Sequence, residues 1–252
     1  MAPTKIDWPK AILPLIDKYR GKKHPLNHKK NYQLLAMVVL SAQSRDDVIN
    51  RIAPAFFAAY PDMPALAKAD PQQLFPYLAG VRNFAHKATW LVNIAKKLKT
   101  DKNIPLTLDE LVELPGIGRK SANVILREAG RPPEGVIVDV HVVRVAPRLG
   151  IVKEDDPGKM EEKLMKILPR EEWDAGMAMS FLGREICTPT PQCERCLMNP
   201  VCAFYARVQK KAAATGSAVG AAAKKSSAKK PAAAAKKSPQ QTSGRRKEIK
   251  KG

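Results

Sequence analysis

Residues 107–130 limit most strongly how this chain can fold, because they predict two helices joined by a glycine hairpin. Thr107, followed three residues later by Glu110, is typical of a capping-box start for a short helix. That helix cannot continue through residues 115–118, which read PGIG. A second apolar-periodic segment then runs to Gly130, where a helix is expected to end.

The hairpin itself suggests a use. Glycines tolerate positive φ and let the backbone approach a ligand closely. We expect the amides of Gly116, Ile117 and Gly118 to point outward beside the second helix, which begins at about Arg119 and carries Lys120 in its first turn. Outward amides at a helix N-terminus favour an anion such as a phosphate.

The charge distribution also favours a polyanionic partner. The formal net charge of the 252 residues is +20, and residues 207–252 hold 14 Lys or Arg against one acidic residue. The remaining body is therefore basic as well, at +7. A soluble protein with a solvated charge run explains the tail alone, whereas nucleic acid explains the tail together with the hairpin. From its low-complexity Lys/Ala composition, we expect 207–252 to be disordered and to bind DNA non-specifically.

Nothing in the sequence suggests a membrane or secretion. No apolar run approaches the length of a membrane span, and the first ten residues, MAPTKIDWPK, lack an apolar signal core. We expect a cytoplasmic, nucleoid-associated protein, or a nuclear one in a eukaryote.

Four clustered cysteines indicate a metal centre rather than a disulfide framework. Their spacing is Cys187-x5-Cys193-x2-Cys196-x5-Cys202. Four thiolates with one C-x-x-C pair and no nearby histidine suit an iron–sulfur cluster. A tetrahedral zinc site is the alternative, although structural zinc usually takes two short-spaced pairs.

Three short motifs, taken with the cysteines, carry a family resemblance. The hairpin reads LPGIGRKSANVIL over residues 114–126, VDVH follows at 138–141, and SAQS precedes both at 41–44. Over about residues 30–205 the chain resembles the endonuclease III family of DNA glycosylases. The resemblance implies an all-α fold with a six-helix barrel at 25–135, which contains the helix-hairpin-helix, and a cluster-bearing helical domain formed by 1–24 and 136–206.

Helical periodicity agrees with that barrel. It predicts six helices between residues 31 and 130, beginning near residues 32, 45, 71, 84, 108 and 119. The segment 136–145, VIVDVHVVRV, is a conflict, because its β-branched residues favour a strand. The resemblance implies a helix capped by Asp139, and a lone strand would have no partner, so we predict the helix.

The resemblance also implies catalytic residues. Lys120 would be the nucleophile that forms a Schiff base, since a helix N-terminus and the adjacent Arg119 disfavour its protonated ammonium. Asp139, kept ionised at a helix N-cap, would assist its deprotonation and stabilise positive charge on the deoxyribose. The alternatives are a phosphate-contacting lysine and a purely structural cap.

Further residues would contact DNA. By resemblance, Gln43 fills the gap left by the extruded nucleotide, and His141 faces the DNA unless it is partly buried. The hairpin residues Gly116, Ile117, Gly118 and Arg119 would contact phosphates. The basic loop with Arg195 would lie near the duplex.

Two departures from the family pattern stand out. An ungapped alignment puts Arg82, Asn83 and Phe84 on the loop that normally wedges an apolar residue into the opposite strand, whereas a gapped one uses Gly80 and Val81. The interval between Cys187 and Cys193 is one residue shorter than usual.

The implied function is that of a bifunctional DNA glycosylase and abasic-site lyase with a [4Fe-4S] cluster. It would act, as a monomer, on double-stranded DNA with a damaged base, such as an oxidised pyrimidine, or an abasic site. Enzymes for pyrimidine dimers or mismatched thymine stay open as alternatives. A non-catalytic DNA-binding or nucleoid protein is the rival from another class.

Overall fold

The computed structural model describes residues 6–214, and all regular secondary structure in that range is helical, with no strand among the described residues. This confirms the all-α prediction. The α-helices are α1 Trp8–Ala11, α2 Leu13–Tyr19, α3 Asn31–Ser41, α4 Asp46–Ala59, α5 Met63–Ala67, α6 Phe84–Leu98, α7 Leu108–Val112, α8 Arg119–Glu128, α9 Val140–Leu149, α10 Pro157–Ile167, α11 Ala175–Glu185 and α12 Ala203–Ala214. Short 3₁₀ helices are Pro71–Tyr77, Asp101–Asn103, Arg170–Glu172, Cys193–Arg195 and Asn199–Val201.

The most apolar helix, α3, lies at the centre. Its residues 34–40 are all buried, because α4, α6 and α8 pack against it from different sides. A helix surrounded in this way needs apolar side chains on every face. Its C-terminal end leads directly into the segment that carries Gln43.

The helix-hairpin-helix forms as predicted, but its start differs. The Thr107 hydroxyl donates to the Glu110 carboxylate at 2.5 Å, so neither side chain caps a backbone amide. The amide of Leu108 instead donates to the carboxylate of Glu134, at 3.2 Å. The capping-box prediction at Thr107 was wrong, because a carboxylate 26 residues away reaches the orphan amide.

Gly116 is fixed by both conformation and space. Its φ is +80°, and a Cβ there would lie 2.5 Å from the Trp90 ring on α6. Only glycine combines the left-handed conformation with that close approach. The hairpin therefore packs tightly on α6.

The region 60–80 differs from its prediction in two ways. The helix expected near residue 71 is a 3₁₀ helix, Pro71–Tyr77, with Pro76 inside it. Proline lacks the amide that an α-helical ladder needs. In addition, the sequence reading missed α5, whose first turn is capped by Asp62 through the amide of Ala65 at 2.8 Å.

The segment 136–145 forms no strand, and the predicted helix is confirmed: α9 begins directly after its N-cap, Asp139. Helix α9 packs on α11, and α2 packs on α11 as well. A Cβ at Gly183 would lie 2.8 Å from the Cβ of His141. The missing side chain at position 183 lets α11 approach the first turn of α9.

The end of the described chain corrects one boundary. Helix α12 includes residues 207–214, which the sequence reading assigned to the disordered tail. The rest of that tail, 215–252, lies outside the described residues. Within the described part, no helix has both the length and the apolar character to cross a bilayer.

Candidate active site

A cavity of about 870 Å³ brings together four of the residues predicted from sequence. It is bounded by the segment after α3 and by the N-terminal turns of α4, α8 and α9. Its lining includes Gln43, Lys120, Asp139 and His141.

Lys120 stands at the second position of α8, where it is exposed to the cavity. Gly118 is the N-cap of that helix and has no side chain to cap it. The first amides of α8 therefore lack an intrahelical acceptor and leave a region of positive potential around the amine. This environment suits an anionic backbone passing close to Lys120.

Asp139 is held at the N-cap of α9 by several donors. Its Oδ1 accepts from the amides of His141, at 2.9 Å, and Val142, at 3.0 Å. Its Oδ2 accepts from the hydroxyl of Ser180 at 2.6 Å. Burial alone would raise the pKa of Asp139, but the Ser180 and Val142 hydrogen bonds, with the charge of Lys120, outweigh burial and lower it. The carboxylate is consequently ionised across the physiological range and interacts electrostatically with Lys120.

Two residues of α11 that the sequence reading missed complete this environment. Ser180 is fully buried, and Arg184 follows it one turn later. The Arg184 guanidinium pairs with Asp46 of α4 at 2.7 Å and lies 3.7 Å from Asp139 Oδ2. Arg184 thus connects the start of α4 with the start of α9. The i, i+4 spacing of the two residues was visible in the sequence, but nothing there indicates which helices they face.

His141 lies beside Asp139 and is half-buried. Burial and the nearby charges of Arg184 and Arg144 lower its pKa, against the opposing charge of Asp139. A guanidinium nitrogen of Arg144 lies 3.0 Å from its Nδ1. Since a guanidinium can only donate, Nδ1 accepts and the neutral ring carries its proton on Nε2.

His24 is a second imidazole that the sequence reading missed. Burial, followed by the positive charge of Lys120, lowers the pKa of His24 to about 4. Its Nδ1 accepts from the amide of Leu26 at 3.2 Å. A neutral imidazole therefore lies within electrostatic range of Lys120, on the loop before α3.

One of the three hairpin amides predicted to point outward is bonded within the turn instead. The amide of Ile117 donates to the carbonyl of Leu114 at 3.1 Å, and the Ile117 side chain is buried. This contradicts the prediction of an outward amide at residue 117, because a turn closes on it. Arg119 pairs with Glu161 of α10 at 3.1 Å, so its predicted DNA contact stays a prediction.

Gln43 and Asn83 share an uncommon backbone conformation. Their φ values are +55° and +54°, and both residues are exposed. Val81 is buried, with 4% of its surface exposed, which removes the gapped alternative in which it would be the wedge. Arg82 is exposed and, like Asn83, lies outside the cavity lining.

The four cysteines are half-buried and carry no disulfide. Burial raises the pKa of Cys193, and negative charge on Cys202, Cys187 and Cys196 raises it further. Two of the thiols share a neighbour: the Arg148 guanidinium lies 3.5 Å from Cys187 Sγ, and Cys202 Sγ donates to the Arg148 carbonyl at 3.4 Å. No group of three His, Cys, Asp or Glu side chains in the described part of the chain is arranged around a single metal ion.

Arg148 orders the short interval between the first two cysteines. Its guanidinium donates to the carbonyls of Thr188, at 2.7 Å, and Pro189, at 3.2 Å, and lies 3.5 Å from Cys187 Sγ. Arg195 is exposed in the 3₁₀ helix between Cys193 and Cys196, away from the cavity lining. Its predicted contact with DNA stays a prediction.

Comparisons with known proteins agree with this geometry. Residues 36–170 match the family model described as HhH-GPD superfamily base excision DNA repair protein. The chain is therefore a member of that superfamily.

Similar proteins show to which family of that superfamily the chain belongs. The chain is 35% identical to endonuclease III of Synechocystis sp., over 80% of this chain and 94% of the relative. It is 37% identical to endonuclease III of Thermotoga maritima, over 74% and 90%. A solved structure of a trapped endonuclease III–DNA covalent intermediate superimposes with a TM-score of 0.70 at 30% identity, over 79% of this chain and 96% of that one. The chain belongs to the endonuclease III family, which confirms the resemblance.

Ser180→Ala tests the electrostatic account of Asp139. Removing the hydroxyl removes a hydrogen bond that favours the carboxylate, so the pKa of Asp139 should rise toward its ordinary value. We expect the acidic limb of the pH–rate profile for cleavage of abasic-site DNA to move to higher pH, while the rate at pH 8 changes much less.

Thr89→Ala on α6, which removes an exposed hydroxyl bonded to its own helix, is the matched control and should leave the profile in place. Coincident acidic limbs for wild type and Ser180→Ala would show that this hydrogen bond does not set the charge of Asp139.

Proposed function

We propose that this protein is a bifunctional DNA glycosylase and abasic-site lyase of base excision repair, with Lys120 as the nucleophile. The observation that carries the proposal is that an exposed lysine at a helix N-terminus and an ionised aspartate line the same cavity. An endonuclease III relative of similar fold has been trapped covalently on DNA. Membership in the family supports the same chemistry here.

The chemical steps follow from these two groups. Asp139 accepts a proton from the Lys120 ammonium, directly or through water, and the neutral amine attacks C1′ of an extruded nucleotide. The bond between C1′ and the base breaks, and the base leaves with that electron pair and gains a proton. The substituted amine then loses a proton, the C1′–O4′ bond breaks, O4′ takes up a proton, and nitrogen and C1′ form the Schiff base. Loss of a C2′ proton then expels the 3′ phosphate oxygen, which cuts the strand. Water finally hydrolyses the Schiff base and frees Lys120.

Other cavity residues would hold the DNA. Gln43, at the cavity mouth, would occupy the gap left in the duplex. Gly116, Gly118 and the first amides of α8 would bind phosphate, and His141 would donate a hydrogen bond from Nε2.

Oxidised pyrimidines are the proposed substrate bases, and the protein is proposed to act as a monomer associated with the nucleoid. The proposed domains are a six-helix barrel at 25–135 and a second helical domain formed by 1–24 and 136–206.

Borohydride trapping on a duplex with one abasic site tests the nucleophile. Wild type should form a stable adduct because reduction fixes the Schiff base, and Lys120→Ala should lose at least 100-fold of the trapping rate. Lys166→Ala, an exposed lysine on α10, is the matched control and should trap like wild type.

An undiminished adduct for Lys120→Ala would reject Lys120 as the nucleophile. Failure of the wild type to trap at all would reject the lyase and favour a non-catalytic DNA-binding protein.

We propose further that Cys187, Cys193, Cys196 and Cys202 hold a [4Fe-4S] cluster. Their spacing along the chain favours a cluster, and Arg148 contacts the sulfur atoms of both Cys187 and Cys202. When bound, the cluster would serve as a structural crosslink for the loops from 187 to 202. Arg148, through its bonds to residues 187–189, would hold the short first interval in place.

Metal analysis of protein purified without oxygen tests the centre. We expect about four iron and four inorganic sulfide per chain and broad absorbance near 400 nm, both lost in Cys193→Ser. Colourless protein with one zinc per chain would replace the cluster by the tetrahedral alternative.

The basic tail is proposed to bind DNA without sequence preference. Residues 215–252 carry 11 Lys or Arg and one acidic residue. Deleting them, which leaves α12 whole, should flatten the slope of log K against log salt concentration because fewer counterions are released on binding.

A Gly/Ser segment of the same length in place of 215–252 should behave like the deletion. Equal slopes for full-length and truncated protein would rule out contact between the tail and DNA.

A further inference from the structure

One buried cation has no part in the chemistry above. Lys87 of α6 is 2% exposed, and its Nζ donates to the carbonyls of Leu40, at 2.8 Å, and Ala42, at 2.5 Å. The same Nζ lies 3.3 Å from the hydroxyl oxygen of Ser44. Within residues 6–214, no carboxylate forms an ion pair with Lys87.

The Lys87 amine lies at the C-terminal end of α3, where backbone carbonyls compensate it for the hydration it loses on burial. The last carbonyls of a helix lack intrahelical donors and carry partial negative charge. Helix α3 has no basic residue in its own last turn, so a lysine from α6 supplies the donors. Burial lowers the pKa of Lys87 to about 8, which shows how much hydration the amine has lost. The carbonyl dipoles at the C-terminal end of α3 stabilise the buried ammonium in place of water.

Ser44 extends the contact to a second loop. Its Oγ also accepts the backbone amide of Arg82 at 3.1 Å. A chain of hydrogen bonds therefore joins the segment after α3 to the loop before α6, through the Lys87 amine and the Ser44 hydroxyl.

Each of the two joined segments contains an exposed residue in the left-handed region. Gln43 lies between two of the groups that Lys87 binds, and Asn83 directly follows Arg82. Non-glycine residues in this region are strained and persist only where the surrounding structure holds them there. Without a fixed framework, both segments would relax to commoner conformations.

We propose that Lys87 is a positioning residue that holds the Gln43 segment and the Arg82–Asn83 loop at a fixed mutual spacing, so that the two can enter a DNA duplex together at a damaged pair. The inference rests on the proposed function, because it assigns both segments to the duplex. It adds that their spacing is set before DNA binds, by an amine that never touches the nucleic acid. Preordering of this kind lowers the entropy lost on binding.

Duplex and single-stranded substrates separate this role from catalysis. In Lys87→Met, we expect the Kd for duplex DNA with a reduced abasic-site analogue to weaken by about tenfold or more, since two carbonyls and Ser44 lose their donor. Borohydride trapping on a single-stranded abasic oligonucleotide should stay within about twofold of wild type, because a single strand has no opposite partner or gap to fill.

Lys96→Met is the matched control. It makes the same substitution at an exposed site on α6, about 20 Å along the helix from Asn83, and should keep wild-type duplex affinity. Ser44→Ala is the milder test if Lys87→Met does not fold. It breaks the connection to Arg82 while leaving the buried amine with both carbonyls, and it should weaken duplex binding by about threefold to tenfold.

A fluorescent 2-aminopurine opposite the abasic analogue gives a readout that a general loss of stability would not mimic. Its fluorescence should rise on binding wild type, as the opposite base is unstacked, and should rise less with Lys87→Met at saturating protein. Equal duplex affinity and equal fluorescence for folded Lys87→Met, Ser44→Ala and wild type would overturn the proposal. Absence of trapping by wild type on a duplex with an unreduced abasic site would instead overturn the proposed function.

Discussion

The structure depends on one buried carboxylate staying charged. Asp139 loses hydration on folding, and the first amides of α9 and the hydroxyl of Ser180 on α11 compensate it by hydrogen bonds. The positive charges of Arg184, at 3.7 Å, and of Lys120 add to this. Helix α9 begins where those amides find an acceptor, and α11 approaches because Gly183 has no side chain. The same carboxylate lines the cavity together with Lys120 of α8, whose positive charge helps to lower its pKa. Local capping, the approach of two helices and the proposed chemistry of the cavity therefore meet at one charge.

Two lysines show why burial alone does not identify a nucleophile. Lys87 has a lowered pKa, but its amine is enclosed and occupied by the carbonyls of Leu40 and Ala42. Lys120 is exposed in the cavity beside an ionised carboxylate and an uncapped helix N-terminus. A reactive amine needs access to the substrate first and a suitable proton affinity second. On these grounds we propose that Lys120 reacts and that Lys87 gives support.

The sequence was sufficient where a local rule decides the structure. The hairpin glycines and the periodicity of α6 predicted their elements, because each depends on neighbours within a few residues. The cap at Asp139 followed from the family resemblance, against a local pattern that favoured a strand. The sequence was insufficient where a distant group intervenes. Glu134 takes the place of the cap expected at Thr107, from 26 residues away. Two local effects were also missed: Pro76 favours a 3₁₀ helix, and a turn joins the amide of Ile117 to the carbonyl of Leu114. Ser180, Arg184 and Lys87 have no sequence signal at all, because their partners lie 41 to 138 residues away.

The most direct test of this account is to locate the covalent bond in the reduced complex. Wild-type protein would be trapped with borohydride on an abasic duplex, digested with protease and nuclease, and sequenced by mass spectrometry. The account predicts that the sugar remnant lies on Lys120, with Lys87 unmodified. A remnant on Lys87, on the N-terminal amine or on any other lysine would contradict it.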